Sequence, residues 1–133
     1  MIPPLKHVLC VDDEEDILQV TQLSLETLGG FKVSICKGSG GALAQVKSLN
    51  PDMLLLDVMM PGMDGPTMLK VMRTDPDLAG IPVIFMTAKV QPSEVAHYIQ
   101  IGAMGVIAKP FDPMGLSRQV EALWREFHES KRA

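Results

Sequence analysis

Met53-Leu54-Leu55-Leu56-Asp57-Val58-Met59-Met60-Pro61-Gly62-Met63-Asp64-Gly65 is the stretch on which the fold class turns. Four large apolar residues end in an acid, and Pro61, Gly62 and Gly65 then break the run. A short apolar run bounded by turn residues reads as a buried strand of a parallel sheet. Asp57 therefore stands at the carboxyl end of that strand, the edge where ligands bind in open α/β sheets. A half-desolvated carboxylate there needs a cation or hydrogen-bond donors.

Upstream of this strand, residues 6–11 read as another, and Asp12-Asp13-Glu14-Glu15-Asp16 opens a helix to about Leu28. Ile17, Val20, Leu23, Leu25 and Leu28 form its expected apolar face. The acids lie in its first turn, where the helix dipole favours them, and Gly29-Gly30 stops it. Phe31, Val33 and Ile35 alternate with Lys32 and Ser34, the pattern of a strand with one polar face. Residues 39–49 form a second helix, closed by Asn50-Pro51.

Downstream, Gly65-Pro66 starts a third helix through about Arg73, with Pro66 suited to the first turn. Residues 82–86 form a fourth strand ending at Thr87, and residues 93–101 a fourth helix. Residues 105–108 form a short fifth strand ending at Lys109-Pro110. Asp112 and Pro113 read as the N-cap and first residue of a last helix to about Glu129. Leu116, Val120, Leu123, Trp124 and Phe127 would face inward. Five strand–helix repeats imply a parallel sheet with helices on both faces.

The chain has 133 residues, enough for one domain over 1–133 with a core of about 6–129. Twelve Lys and Arg against sixteen Asp and Glu give a net charge of -4. That argues against direct nucleic-acid binding, which rests on basic patches. No membrane span or signal peptide is apparent, so the expected location is cytoplasmic. Cys10 and Cys36 fall in strand-like stretches and read as reduced, buried thiols without metal-ligand spacing. Lys131-Arg132-Ala133 would be a free tail or the start of a linker.

The chemistry gathers at four strand ends: Asp12-Asp13, Asp57, Thr87 and Lys109. In a parallel sheet these share one edge. Each alone has an ordinary role, as a helix cap, a loop cap, a turn residue or a solvated lysine. Their coincidence at four matching ends points elsewhere. Two carboxylates about 4 Å apart repel by about 4 kcal/mol at an effective dielectric near 20. Three clustered acids therefore take up a proton or a cation. An all-oxygen set selects a hard cation, Mg²⁺ first at phosphate sites, with Mn²⁺ as a substitute. A divalent cation, an acid, a lysine and a hydroxyl together suit phosphoryl transfer to a carboxylate, with Asp57 as the attacking group.

Val8-Leu9-Cys10-Val11-Asp12-Asp13-Glu14, Leu54–Gly65, Met86-Thr87-Ala88 and Ala108-Lys109-Pro110-Phe111 together resemble the receiver domain of two-component response regulators. The resemblance covers about residues 6–129. It implies a flavodoxin-like (βα)5 three-layer sandwich with strand order 2-1-3-4-5. It implies that Asp57 is the phosphoacceptor, and that Asp13, Asp57 and the backbone carbonyl of Met59 ligate Mg²⁺, with Asp12 acting through water. Thr87 would be the switch hydroxyl and Lys109 the salt-bridge partner, with a cis Lys109-Pro110 bond. The implied partners are a sensor histidine kinase or phosphotransfer protein, and a protein target or output domain on the face of helix 4, strand 5 and helix 5. A phosphorylation-linked dimer is one assembly the family would allow. The resemblance implies a self-phosphorylating and self-dephosphorylating signalling domain rather than an enzyme turning over an external substrate.

One position departs from that pattern. Val106 stands where many receivers carry a Tyr or Phe that swings inward. A stiff, short isopropyl group cannot make that movement, so coupling is expected through Thr87 and residues 88–92. Lys89 and Met59 occupy positions that influence phosphoryl lifetime in the family. Val95, Tyr98, Ile101 and Val106 read first as core, or else as a docking patch. A haloacid-dehalogenase-type phosphatase would want a second Asp where Met59 stands. A flavin carrier would not place an acidic run after the first strand. A receiver-like scaffold that works without phosphorylation is the alternative.

Overall fold

A computed structural model describes residues 2–131. Its elements run β1 (His7–Asp12), α1 (Glu15–Gly29), β2 (Lys32–Lys37), α2 (Ala42–Leu49), β3 (Met53–Asp57), α3 (Gly65–Thr74), β4 (Val83–Thr87), α4 (Pro92–Gln100), β5 (Gly105–Ala108) and α5 (Leu116–Lys131). The five strands form one parallel sheet in the order β2-β1-β3-β4-β5. This is the flavodoxin-like fold.

Period-two alternation divides the central strands between two apolar layers. Leu9, Val11, Leu54, Leu56, Val83 and Phe85 pack with Val46 of α2, Met68, Leu69 and Met72 of α3, and Tyr98 of α4. Val8, Cys10, Met53, Leu55, Ile84, Met86 and Ile107 pack with Leu18 and Leu25 of α1 and Leu116, Val120 and Trp124 of α5. β3 and β4 are buried along their whole length because helices cover both faces. The strand order reverses between β1 and β3, and the crevice opens beyond the carboxyl ends of those two strands.

Several boundaries and faces differ from expectation. Val20, Leu23 and Leu28 are not core: they are 41%, 67% and 47% exposed. α1 instead buries Leu18, Thr21, Ser24 and Leu25. The two hydroxyls hide this stripe from an apolar count, yet both are satisfied. Thr21 Oγ1 donates to the Ile17 carbonyl at 2.6 Å, and Ser24 Oγ donates to the Pro113 carbonyl. Val20, Leu23 and Leu28 line an open groove of about 270 Å³ with Pro113 and Met114. Ile35 is likewise at the surface, because β2 is an edge strand and only Val33 and Cys36 turn inward.

α2 begins at Ala42 rather than residue 39, since Gly41 has φ 76°, outside the right-handed helix. α5 begins at Leu116 rather than Pro113. Asp112 forms its own turn first: its Oδ1 accepts from the Met114 amide at 3.0 Å and its carbonyl from Gly115 at 3.0 Å. Tyr98 is core, as expected, with its ring edge-on to Phe85 at 5.2 Å. Val95, Ile101 and Val106 are half-buried. The tail residues Arg132 and Ala133 lie outside the described residues.

Candidate functional site

β1 ends in Asp12, β3 in Asp57, β4 in Thr87, and Lys109 follows β5. Parallel register brings these ends to one edge: Val11 pairs with Leu56, Asp57 with Met86 and Thr87 with Ala108. One carboxylate oxygen from each of Asp12, Asp13 and Asp57 lies within 4.8 Å of the others. Asp12 and Asp57 are each only 4% exposed, Thr87 2%, and Asp13 is half-buried.

Lys109 holds the group together. Its Nζ lies 2.7 Å from Asp12 Oδ2, 3.2 Å from Asp57 Oδ1 and 3.8 Å from Glu14 Oε1. Its backbone amide donates to the Thr87 carbonyl at 2.9 Å, which fixes where the side chain leaves the sheet. The Lys109-Pro110 peptide bond is cis. Burial acts against the ammonium, but its bonds to Asp12 and Asp57 outweigh that and hold its pKa above the usual lysine value.

Asp57 is less well served. Burial first, and then the neighbouring Asp12 charge, push its pKa up to about 6, although Lys109 pulls the other way. One ammonium shared between two buried carboxylates does not neutralise both. Asp12 has a further donor, the Glu14 amide at 2.9 Å from its Oδ1. Asp13 has neither a hydrogen bond nor an ion pair among the described residues. The donor set is thus all oxygen and short of positive charge, which is the chemistry a hard divalent cation satisfies.

Thr87 Oγ1 accepts the Lys89 amide at 3.0 Å. A hydroxyl that accepts there keeps its proton for another acceptor. Met59 lies in the β3–α3 loop and is 66% exposed. Val106 packs half-buried against the layer that contains Tyr98 and Phe85. The expected residues Asp12, Asp13, Asp57, Thr87 and Lys109 all meet at this edge, and Met59 borders it two residues beyond Asp57.

Sequence reasoning missed three contributors. Glu14 reaches Lys109 from the start of α1. Gly65, a breaker and helix start in the sequence, has a third part: a Cβ there would sit 2.5 Å from the Asp57 carbonyl oxygen and 3.0 Å from Val58 Cα. Its lack of a side chain lets α3 close against the end of β3. Ser39, between β2 and α2, bonds to the β3–α3 loop. The Asp64-Gly65 pair was a visible turn signal for the second; nothing local marks the first or the third.

Comparison with known proteins agrees with this geometry. A family model described as the response regulator receiver domain matches residues 8–121. The DNA-binding response regulator MtrA of Mycolicibacterium smegmatis is 33% identical over 120 residues, covering 90% of this chain and 51% of that protein. The transcriptional regulatory protein CseB of Streptomyces coelicolor is 36% identical over 121 residues, covering 91% and 50%. The chain thus spans about half the length of the curated relatives it matches. Among solved structures, the chemotaxis response regulator CheY4 of Vibrio cholerae superposes with a TM-score of 0.82 at 28% identity, covering 90% of this chain and 99% of that one. A response regulator from Chloroflexus aurantiacus gives 0.81 at 30% identity, covering 92% and 99%. With five strands in this order, the strand-end acids and a family match over most of its length, the chain belongs to the receiver-domain family of two-component response regulators.

Proposed function

We propose that the chain, read as a single receiver domain over 1–133, accepts a phosphoryl group on Asp57 and works as a phosphorylation-controlled switch. One observation carries this reading: three carboxylates meet at the strand ends with Lys109 bridging Asp12 and Asp57. Asp13, Asp57 and the Met59 carbonyl would hold Mg²⁺ or Mn²⁺, with Asp12 contributing through water. Bound there, the ion would set positive charge against the oxygens of the incoming phosphoryl group.

The remaining work falls to the chain's own groups. An Asp57 oxygen attacks the phosphorus of a phosphohistidine or a small acyl phosphate. The O–P bond forms as the donor's P–N or P–O bond breaks, and the electron pair leaves with the imidazole or the acyl oxygen. Lys109, already 3.2 Å from Asp57 Oδ1, stays with the modified residue and neutralises a phosphoryl oxygen. Thr87 donates its free proton to another. Its Oγ1 is tied to the Lys89 amide, so movement of Thr87 draws on residues 88–92 and the start of α4. Val106 is too stiff and short to share in this. Phosphorylation adds about one negative charge and so biases two arrangements of the α4–β5–α5 face.

The phosphodonor would be a sensor histidine kinase or phosphotransfer protein. The target would be a protein or output domain on that face, or a second copy joined upon phosphorylation. The domain consumes its own phosphoryl group and turns over no external substrate. The net charge of -4 supports a protein rather than a nucleic-acid partner. The unpaired, buried Cys10 and Cys36 suit the reducing cytoplasm.

Intact mass after incubation with acetyl phosphate tests the reading. A Mg²⁺-dependent phosphate adduct is expected on the wild type and is expected to be absent from Asp57→Asn. A folded wild-type sample that gains no adduct and does not bind beryllofluoride would refute it and leave the phosphorylation-independent scaffold.

A further inference from the structure

We propose that Ser39 is a positioning residue for the cation site, acting through its hydroxyl on the β3–α3 loop that carries the Met59 carbonyl. The inference rests on the reading of the acid pocket as a cation and phosphoryl site. Ser39 Oγ donates to the Pro61 carbonyl at 3.2 Å and accepts from the Met63 amide at 3.2 Å. Both partners flank Gly62, which has φ 79°. A Cβ on Gly62 would lie 3.2 Å from the same hydroxyl, so the loop is pressed close to Ser39. One hydroxyl, with one proton and two lone pairs, meets both demands.

Few other bonds restrain this loop. At its ends, the Val58 amide donates to the Met86 carbonyl at 3.1 Å and the Gly65 amide to the Val58 carbonyl at 3.0 Å. Asp64 caps α3 through the Thr67 amide at 2.8 Å. Among the described residues, the backbone of 59–63 is otherwise hydrogen-bonded through Ser39.

Ser39 itself is anchored on both sides. The preceding Gly38 amide donates to the Asp12 carbonyl at 2.7 Å, and the Ser39 carbonyl accepts from Ala42 at 3.1 Å as α2 begins. A continuous path of bonds therefore runs from the Asp12 backbone through Gly38 and Ser39 to Pro61 and Met63. It ties the end of β1 to the loop that follows β3, the two places that supply the acids. A carbonyl ligand contributes most when it is held in place before the ion arrives, and partners that orient ligands commonly govern metal affinity by tenfold or more. Loss of the hydroxyl frees the loop while leaving Asp12, Asp13 and Asp57 untouched.

The test compares wild type, Ser39→Ala and Ser39→Thr. Mg²⁺ is titrated with amide NMR as the readout. Met63 amide exchange and urea unfolding are measured in EDTA. In Ser39→Ala the Mg²⁺ Kd is expected to rise about tenfold and the Met63 amide to exchange faster, with the metal-free unfolding midpoint unchanged. Ser39→Thr, which keeps the hydroxyl, is expected to restore both. Equal Mg²⁺ affinity in wild type and Ser39→Ala would overturn the inference while leaving the phosphoryl-transfer reading intact. So would a weakened affinity that Ser39→Thr fails to restore. A wild type that binds no Mg²⁺ would overturn the cation site itself, and the inference with it.

Discussion

Replacing Asp57 by Asn is expected to stabilise the metal-free protein. Asp57 is 4% exposed, its carboxylate neighbours Asp12, and Lys109 is shared between them. Burial and the Asp12 charge raise its pKa from 3.8 to about 6. The folded state therefore keeps the proton to higher pH than the unfolded chain does. Between pH 3.8 and 6 the folded protein binds more protons, so its stability falls as pH rises. Each pKa unit corresponds to about 1.4 kcal/mol, which makes the cost of the charged form ~3 kcal/mol above pH 7. Asparagine has nearly the same shape, carries no charge, and offers an N–H to Asp12 while Lys109 keeps its 2.7 Å bond to that residue.

Urea unfolding in EDTA at a series of pH values is the assay. The variant and the wild type should coincide near pH 4. They should then separate through pH 6, with the variant ahead by about 3 kcal/mol at pH 7.5, or ~10 °C in Tm for a chain of this size. Added Mg²⁺ should close the gap, since a ligand at a hundred times its Kd contributes about 2.7 kcal/mol to the form that binds it. A variant no more stable than the wild type at pH 7.5 in EDTA would refute the reasoning. So would a gap that does not change with pH. Either result would mean that Lys109 alone satisfies both buried acids.

Two further substitutions probe how the frame positions the site. Leu25→Ala should cost about 3 kcal/mol in urea unfolding, while Leu23→Ala, at a position 67% exposed, should stay within about 0.5 kcal/mol; comparable losses would mean that α1 is turned differently on the sheet. Gly65→Ala should destabilise by about 2 kcal/mol or more and weaken Mg²⁺ binding, because its Cβ would meet backbone atoms of Asp57 and Val58 rather than a movable side chain. A calorimetric scan with an unchanged Tm would refute that.

Much of this protein could be read before its structure, for a physical reason. The apolar runs that become β1, β3, β4 and β5 are short, and each ends in a residue that does not belong in a core. Parallel connection sends every such end to one edge. Asp12, Asp57, Thr87 and Lys109 are therefore brought together by local pattern and topology, with no knowledge of side-chain packing. The resemblance added the Met59 carbonyl and the cis bond, which no spacing rule supplies.

Packing decided the rest. α1 offers two overlapping stripes, one through Val20 and Leu23 and one through Leu18 and Leu25. Only its seating against β1, β2 and α5 selected the second, whose Thr21 and Ser24 look polar in a linear count. The unequal sharing of Lys109 between Asp12 and Asp57, the reach of Glu14 and the closeness of Gly65 to Asp57 depend on distances of a few ångströms between crossovers. Ser39 and Met63 are twenty-four residues apart in the chain, and no periodicity connects them. The sequence by itself determined which elements form and what chemistry stands at their ends, because those follow from neighbouring residues and chain direction. The tertiary structure alone decided which faces are buried and which loops hold one another, because such contacts arise only when separate crossovers fold back onto the same sheet.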